Sequence, residues 1–130
     1  MNKEIKDTTI FLIDDDDFLL EMYALKFRNS GYKVEIAKDA DEALKKLREG
    51  LKADVILLDI VMPKIDGFEF LKIAKKENLV GNTEKVIILS NLGQNDDIQK
   101  GLKLGVADYI VKASLTPSEV VEKVKSLLES

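Results

Sequence analysis

The residues of this sequence that could do chemistry together are Asp14-Asp15-Asp16-Asp17, Asp59, Ser90-Asn91 and Lys112, and each group directly follows a short apolar run. Two like charges about 4 Å apart repel by roughly 4 kcal/mol at an effective dielectric near 20. Asp14, Asp15 and Asp59 therefore share a site only around a hard cation. Mg²⁺ takes one or two carboxylates, a carbonyl and several waters, and leaves positions for phosphate oxygens. Lys112 adds a flexible ammonium, a point-charge clamp for phosphate that pairs with Asp59 when no phosphate is present. Ser90 adds a rotatable donor and acceptor. An Asp nucleophile beside a metal, a lysine and a hydroxyl meets the needs of phosphoryl transfer, where positioning and charge neutralisation do most of the work. The product of such a step is an aspartyl phosphate.

Taken singly, each group has a plainer explanation. Asp14 to Asp17 fit a solvated cap at a helix start, where acids meet the helix dipole, and for Asp16 and Asp17 that is the preferred reading. Asp59 and Ser90 fit strand-end turn residues, and Lys112 fits a surface lysine with its stem on apolar ground. Their joint placement behind four apolar runs favours one shared site.

The elements that must position them are marked by pattern. Strand-sized apolar runs occupy 9–13, 33–37, 54–58, 86–89 and 109–111. Helical period links Phe18, Leu19, Met22, Leu25, Lys26 and Phe27, then Ala43, Leu44 and Leu47, then Phe68, Leu71, Ile73 and Ala74, and finally Val120, Val121, Val124, Leu127 and Leu128. The chain reads strand then helix, five times. Gly31 and Gly50 follow the first two helical patterns, where a left-handed cap residue is wanted. Thr116-Pro117-Ser118-Glu119 is a capping box, so the last helix starts there and runs nearly to Ser130, and Asp39 and Glu42 repeat the spacing before the second helix. Residues 75–85 read as a polar loop, and 1–8 as a stretch that frays. Strands that are apolar without alternation suit a parallel sheet covered on both faces. Right-handed crossovers then give a doubly wound α/β sandwich, whose ligands bind outside the carboxyl ends of the strands.

Composition narrows the function classes. At 130 residues and 45% hydrophobic content the chain supports one core, so positions 1–130 are read as a single domain with no output domain. The balance of 20 Lys and Arg against 24 Asp and Glu, with no long basic block, argues against direct nucleic-acid binding. The absence of Cys and His removes disulfides, thiolate or imidazole metal sites and Ser-His-Asp catalysis. No run approaches the roughly 18 apolar residues of a membrane span, so a cytoplasmic protein without a membrane partner is expected.

Ile10-Phe11-Leu12-Ile13-Asp14-Asp15-Asp16, Val55-Ile56-Leu57-Leu58-Asp59-Ile60-Val61-Met62-Pro63-Lys64-Ile65-Asp66-Gly67, Val86-Ile87-Ile88-Leu89-Ser90 and Gly105-Val106-Ala107-Asp108-Tyr109-Ile110-Val111-Lys112 together resemble the receiver domain of two-component response regulators. The resemblance covers nearly the whole chain. It implies a (βα)5 flavodoxin-like sandwich with strand order 2-1-3-4-5. It implies phosphorylation at Asp59, with Mg²⁺ or Mn²⁺ bound by Asp14, Asp15, Asp59 and the main-chain carbonyl of Val61, and with Ser90 and Lys112 on the phosphoryl group. Ser90 drawn inward and followed by Tyr109 is the implied switch, altering the surface of the fourth helix, fifth strand and fifth helix. Such a domain is no enzyme beyond assisting its own phosphorylation and dephosphorylation. The implied partners are a sensor histidine kinase or histidine phosphotransfer protein, docking near Phe18, Leu19 and Met22, and an unspecified downstream protein. The chain is expected to be a monomer or a phosphorylation-dependent dimer.

Three departures from the family pattern stand out. Ala113, not proline, follows Lys112, so the peptide there is either trans or a cis bond costing about 2.5–4 kcal/mol. Asn91 replaces a small residue after Ser90 and is expected to crowd access to the carboxylate. Val61 and Leu92 are apolar where rapidly dephosphorylating relatives carry polar groups, so slow decay of the phosphorylated form is expected.

Competing classes fit less well. A haloacid-dehalogenase-type phosphatase wants a second Asp two residues after the nucleophile, where Val61 stands. A Rossmann-like nucleotide binder wants a Gly-rich turn after the first strand, where Asp14 to Asp17 would repel phosphates. A receiver-fold binding module that works without phosphorylation is free to lose the acidic triad and Lys112, which this chain keeps.

Overall fold

The strands β1 (Thr9–Ile13), β2 (Lys33–Ala37), β3 (Val55–Leu58), β4 (Lys85–Ser90) and β5 (Asp108–Val111) form one parallel sheet in the order β2-β1-β3-β4-β5. This is a computed structural model describing residues 4–81 and 84–129. Part of the stretch expected to fray, part of the polar loop and Ser130 lie outside those residues. Five helices connect or follow the strands: α1 (Asp17–Asn29), α2 (Ala40–Arg48), α3 (Gly67–Lys76), α4 (Asn95–Lys103) and α5 (Pro117–Glu129). The expected doubly wound sandwich and strand order are those of the structure.

Pleat alternation sorts the strand side chains onto two cores. Ile10, Leu12, Val55, Leu57, Ile87, Leu89 and Ile110 face α1 and α5, where they pack with Leu20, Tyr23, Ala24, Phe27, Val120, Val121 and Val124. Phe11, Ile13, Ile56, Leu58, Val86 and Ile88 face the opposite way, with Ala43, Leu44 and Leu47 of α2 and Phe68, Phe70, Leu71 and Ala74 of α3. All four residues of β3 are buried, which explains the unalternating pattern. Full burial of one such side chain stabilises by about 1.5–3 kcal/mol.

The helix caps expected at Asp16, Asp39, Thr116, Gly31 and Gly50 are present, and Asp66 adds one that the sequence pattern had not marked. Asp16, Asp39 and Asp66 cap α1, α2 and α3 by accepting from the amides of Leu19, Glu42 and Glu69 at 3.0, 2.8 and 2.9 Å. Thr116 and Glu119 exchange two bonds before α5, at 2.8 and 3.2 Å. Gly31 and Gly50 have φ of 99° and 103°, the left-handed conformation that ends α1 and α2.

The structure corrects several local readings. The buried stripe of α1 is Leu20, Tyr23, Ala24 and Phe27, whereas Phe18 and Leu25 are 76% and 58% exposed. Apolar residues on nearly all sides of α1 left the phase of its stripe ambiguous. Lys75 and Lys76 close α3 and Lys85 opens β4, so the polar loop is shorter than 75–85. The Lys75 and Lys85 ammonium groups donate to the carbonyls of Leu104 and Leu127, which lets charged side chains lie at element ends. Residues Ile5–Asp7 form a 3-10 turn, and the Thr8 hydroxyl donates to the Glu4 carbonyl at 2.9 Å.

Candidate functional site

The register of β1 on β3 pairs Ile13 with Leu58, so the next residues, Asp14 and Asp59, leave the sheet side by side. The Asp59 amide still donates to the Ile13 carbonyl at 2.9 Å. The chain steps from β1 to β2 on one side and then to β3 on the other, and this reversal opens the crevice in which a doubly wound sheet binds its ligand. Asp14 and Asp59 follow Leu12 and Leu57 on the α1/α5 side of the pleat. Both are buried.

Three aspartates and the lysine are brought together as the sequence suggested. The Lys112 ammonium lies 2.6 Å from Asp14 Oδ2 and 3.2 Å from Asp59 Oδ2, with all three side chains only 8% exposed. One carboxylate oxygen from each of Asp14, Asp15 and Asp59 lies within 4.8 Å of the other two. Asp15 is exposed at the mouth. A cluster of hard oxygens at that spacing fits a divalent cation.

Backbone amides fix the carboxylates from behind. Asp59 Oδ1 accepts from the amides of Ile60 at 2.7 Å and Val61 at 3.4 Å, and Asp14 Oδ1 accepts from Asp16 at 2.9 Å. Burial raises the Asp14 carboxyl above its ordinary value, although Lys112 and the Asp16 amide oppose this. Burial pulls the Lys112 ammonium down, yet the Asp14 and Asp59 carboxylates outweigh it and leave the lysine raised. No cis peptide occurs among the described residues, so the Lys112–Ala113 bond is trans and Lys112 reaches both aspartates from that geometry.

Ser90 and Tyr109 occupy the other side of the sheet edge. Ser90 ends β4 opposite Val111 and is fully buried. Its hydroxyl accepts from the Leu92 amide at 3.3 Å, and the Tyr109 hydroxyl donates to the Leu92 carbonyl at 2.5 Å. Among the described residues neither hydroxyl bonds to the aspartates or Lys112. Burial first, then the charges of Asp97 and Asp59, push the Tyr109 phenol up to about 12.

Two contributors carried no role in the sequence reading. The backbone of Leu92 joins Ser90 to Tyr109, and backbone atoms leave no trace in residue type. Gly67 begins α3 where an added Cβ would stand 2.3 Å from the Asp59 carbonyl and 2.9 Å from Ile60 Cα. Only glycine lets α3 start against the strand end, and the signal was Asp66-Gly67 preceding a helical pattern. Phe18 and Val61 are exposed near this rim, at 76% and 57%.

The family model for the response regulator receiver domain matches residues 10–125. The chain is 35% identical over 128 residues to the alkaline phosphatase synthesis transcriptional regulatory protein PhoP of Bacillus subtilis, covering 98% of this chain and 49% of that protein. It is 31% identical over 119 residues to the phosphate regulon transcriptional regulatory protein PhoB of Escherichia coli, covering 92% and 51%. The chain thus spans about half the length of the curated relatives it matches. Among solved structures it is similar to the receiver domain of the Francisella response regulator 1452, with a TM-score of 0.82, 35% identity and coverage of 95% and 98%. A CheY-like receiver domain protein from Methanospirillum hungatei gives 0.83, 30% identity and coverage of 95% and 94%.

Proposed function

The chain belongs to the response regulator receiver family, and from that premise we propose that Asp59 is its phosphoacceptor. An Asp59 carboxylate oxygen attacks the phosphorus of a phosphohistidine on a histidine kinase or phosphotransfer protein. A phosphorus–oxygen bond forms, the phosphorus–nitrogen bond breaks, and the freed imidazole is the leaving group. The observation that carries this reading is the buried lysine held between two buried carboxylates, at 2.6 and 3.2 Å. The ammonium is poised to leave Asp59 for the equatorial oxygens of an incoming phosphoryl group.

Asp14, Asp15, Asp59 and the Val61 carbonyl would hold Mg²⁺ or Mn²⁺, which supplies neutralisation of charge on the phosphoryl oxygens. Lys112 orients the Asp59 carboxylate, and the Ile60 and Val61 amides fix its far oxygen. Ser90 turns toward the phosphoryl group, breaking its bond to the Leu92 amide. Because Tyr109 bonds to the same residue, its ring follows, and the surface of α4, β5 and α5 changes for a downstream partner. That output, with any phosphorylation-dependent dimer, the docking of the phosphodonor at Phe18, Leu19 and Met22, and cytoplasmic location, belongs to the same proposal. A module that works without phosphorylation is disfavoured by the complete set of charged groups.

The test is intact-protein mass spectrometry after incubation with acetyl phosphate, with and without Mg²⁺, on wild type and Asp59→Asn. One Mg²⁺-dependent, base-labile adduct that vanishes in the variant is expected. No adduct despite measurable Mg²⁺ binding would move the assignment to a binding module. The apolar, exposed Val61 side chain gives no group to orient water, so the adduct decays slowly and Val61→Asn shortens its lifetime several-fold. Rapid decay indifferent to Val61→Asn would contradict this.

A further inference from the structure

Beneath the carboxylates, on the α1/α5 side of the sheet, lies a small cavity lined by Asp14, Asp59, Tyr23 and apolar residues of β1, β3, β4 and α1. It offers about 10 Å³ for the centre of a water molecule, the lower end of what one water needs. Its walls are apolar except for the two carboxyl groups and the phenol.

Tyr23 is 4% exposed on the buried stripe of α1. Long helical side chains lean toward the helix N-terminus, and the N-terminus of α1 is at the rim, so the hydroxyl end points toward the aspartates. Among the described residues every fully buried side-chain nitrogen or oxygen has a hydrogen-bond partner, but the Tyr23 hydroxyl makes no direct bond to the protein. Burial raises this phenol, and the charges of Lys112, Asp14 and Asp59 all act on it. The hydroxyl of a residue this little exposed, with no protein acceptor and lining a water-sized cavity with two carboxylates, has the partners a bridging water requires.

A need for such a donor follows from Lys112. Asp14 Oδ1 is taken by the Asp16 amide, while Oδ2 accepts from Lys112 at 2.6 Å. When the ammonium turns to a phosphoryl group on Asp59, Asp14 Oδ2 loses that donor while staying buried. A carboxylate has about four acceptor sites, so neither the amide nor a cation at the rim exhausts it.

Resting on the assignment of Asp59 as acceptor, we propose that Tyr23 is a positioning residue of the phosphorylated state. Its hydroxyl, through one water in this cavity, supplies a hydrogen bond to Asp14 when Lys112 moves to the phosphoryl group. The role is conditional: with Lys112 on Asp14 the phenol is idle.

The test compares wild type, Tyr23→Phe and Asp59→Asn as the full 130-residue chain, using Mg²⁺ alone and then Mg²⁺ with beryllofluoride, a phosphoryl mimic that binds carboxylates. Tyr23→Phe removes only the hydroxyl. It is expected to leave affinity for Mg²⁺ alone within about twofold of wild type and to weaken beryllofluoride binding about fivefold. The near-ultraviolet tyrosine difference spectrum produced by beryllofluoride should shrink in parallel. Equal losses for both ligands would assign Tyr23 a merely structural role and overturn the proposal, as would no loss for either. Wild type that takes no beryllofluoride would sink the Asp59 assignment, and the Tyr23 proposal with it. Wild type that binds while Asp59→Asn does not leaves the Tyr23 comparison decisive by itself.

Discussion

On the side of the sheet edge covered by α1 and α5, Asp14, Asp59 and Lys112 are tied by two ion pairs and three hydrogen bonds from backbone amides, and Asp14 and Asp59 directly follow buried stretches of β1 and β3. On the α4 side, Ser90 and Tyr109 meet only through the backbone of Leu92. The covering helices differ in the same sense. α1 buries Leu20, Tyr23, Ala24 and Phe27 and is capped by Asp16, whereas α4 buries only Gly101 and has no side-chain cap. β5, beneath α4, buries only Ile110. The fixed side can hold reacting atoms in place, and the lightly held side can move at small cost. A site that must both react and signal gains from having the two properties on opposite faces.

The strongest way to break this contrast is Lys112→Met, which keeps the stem and removes the charge. Two buried carboxylates are then left without a counterion, at a cost of about 3 kcal/mol near neutral pH. Phosphorylation by acetyl phosphate should slow about 100-fold. The pH dependence carries the sign. Folding raises the Asp14 carboxyl, so above its unfolded value the folded state holds more protons, and stability falls as pH rises toward neutrality. Lys112 counters that rise, so its removal steepens the loss, and the variant should recover on mild acidification with a chelator present. Urea titrations at two pH values check this. A variant as stable as wild type at neutral pH would mean that the charged side is not held by its ion pairs.

Gly101→Ala probes the lightly held side and should have a smaller effect. The added Cβ would stand 2.7 Å from Ile88 Cδ1 and 3.1 Å from the Tyr109 ring. Overpacking costs about 1–3 kcal/mol, but alanine regains about 1 kcal/mol of helix propensity, so a net loss of about 1 kcal/mol is expected. The sharper readout is the phenol. Tyr109 holds its proton to about 12 in the folded state, while an unfolded tyrosine releases it near pH ~10. Between those values the unfolded state binds fewer protons, and wild-type stability falls as pH rises. If alanine displaces the ring, the Tyr109 phenol returns toward its ordinary value and that alkaline limb flattens. An unchanged tyrosine titration would show that α4 moved instead of the ring.

The same contrast governs how much could be read from the sequence. β1 and β3 are buried on both faces, so their residue types alone announced strands, and the aspartates that follow them were legible as a rim. Asp39 and Thr116 are caps whose local chemistry is written in residue type. α4 had no apolar stripe to show, because its one buried residue is a glycine. α1 was recognised as a helix with the wrong stripe, since Phe18 and Leu25 are apolar yet exposed. Tyr23 was invisible as part of the site for the same reason, being indistinguishable from a core aromatic until the phase of α1 is known. The Leu92 link and the close approach at Gly67 are backbone geometry, which residue types do not encode.

Gln94→Asp sharpens the comparison with the smallest perturbation. The backbone of Gln94 already has the extended conformation of a cap residue, with φ of -69° and ψ of 151°, but its side chain makes no cap bond. Asp16, Asp39 and Asp66 show what a shorter acid does in that place. A new cap contributes about 1 kcal/mol, somewhat reduced by the neighbouring Asp96 and Asp97. If α4 opens separately from the rest of the domain, that gain appears in local opening alone. Amide exchange across residues 98–103 should slow about fivefold, the equivalent of about 1 kcal/mol, while the global melting temperature scarcely moves. Asp16→Ala, at the start of the well-anchored α1, should instead lower the global melting temperature. A Gln94→Asp variant that raises global and local stability equally would show that α4 opens only with the whole domain, and the division between a fixed face and a movable one would fail.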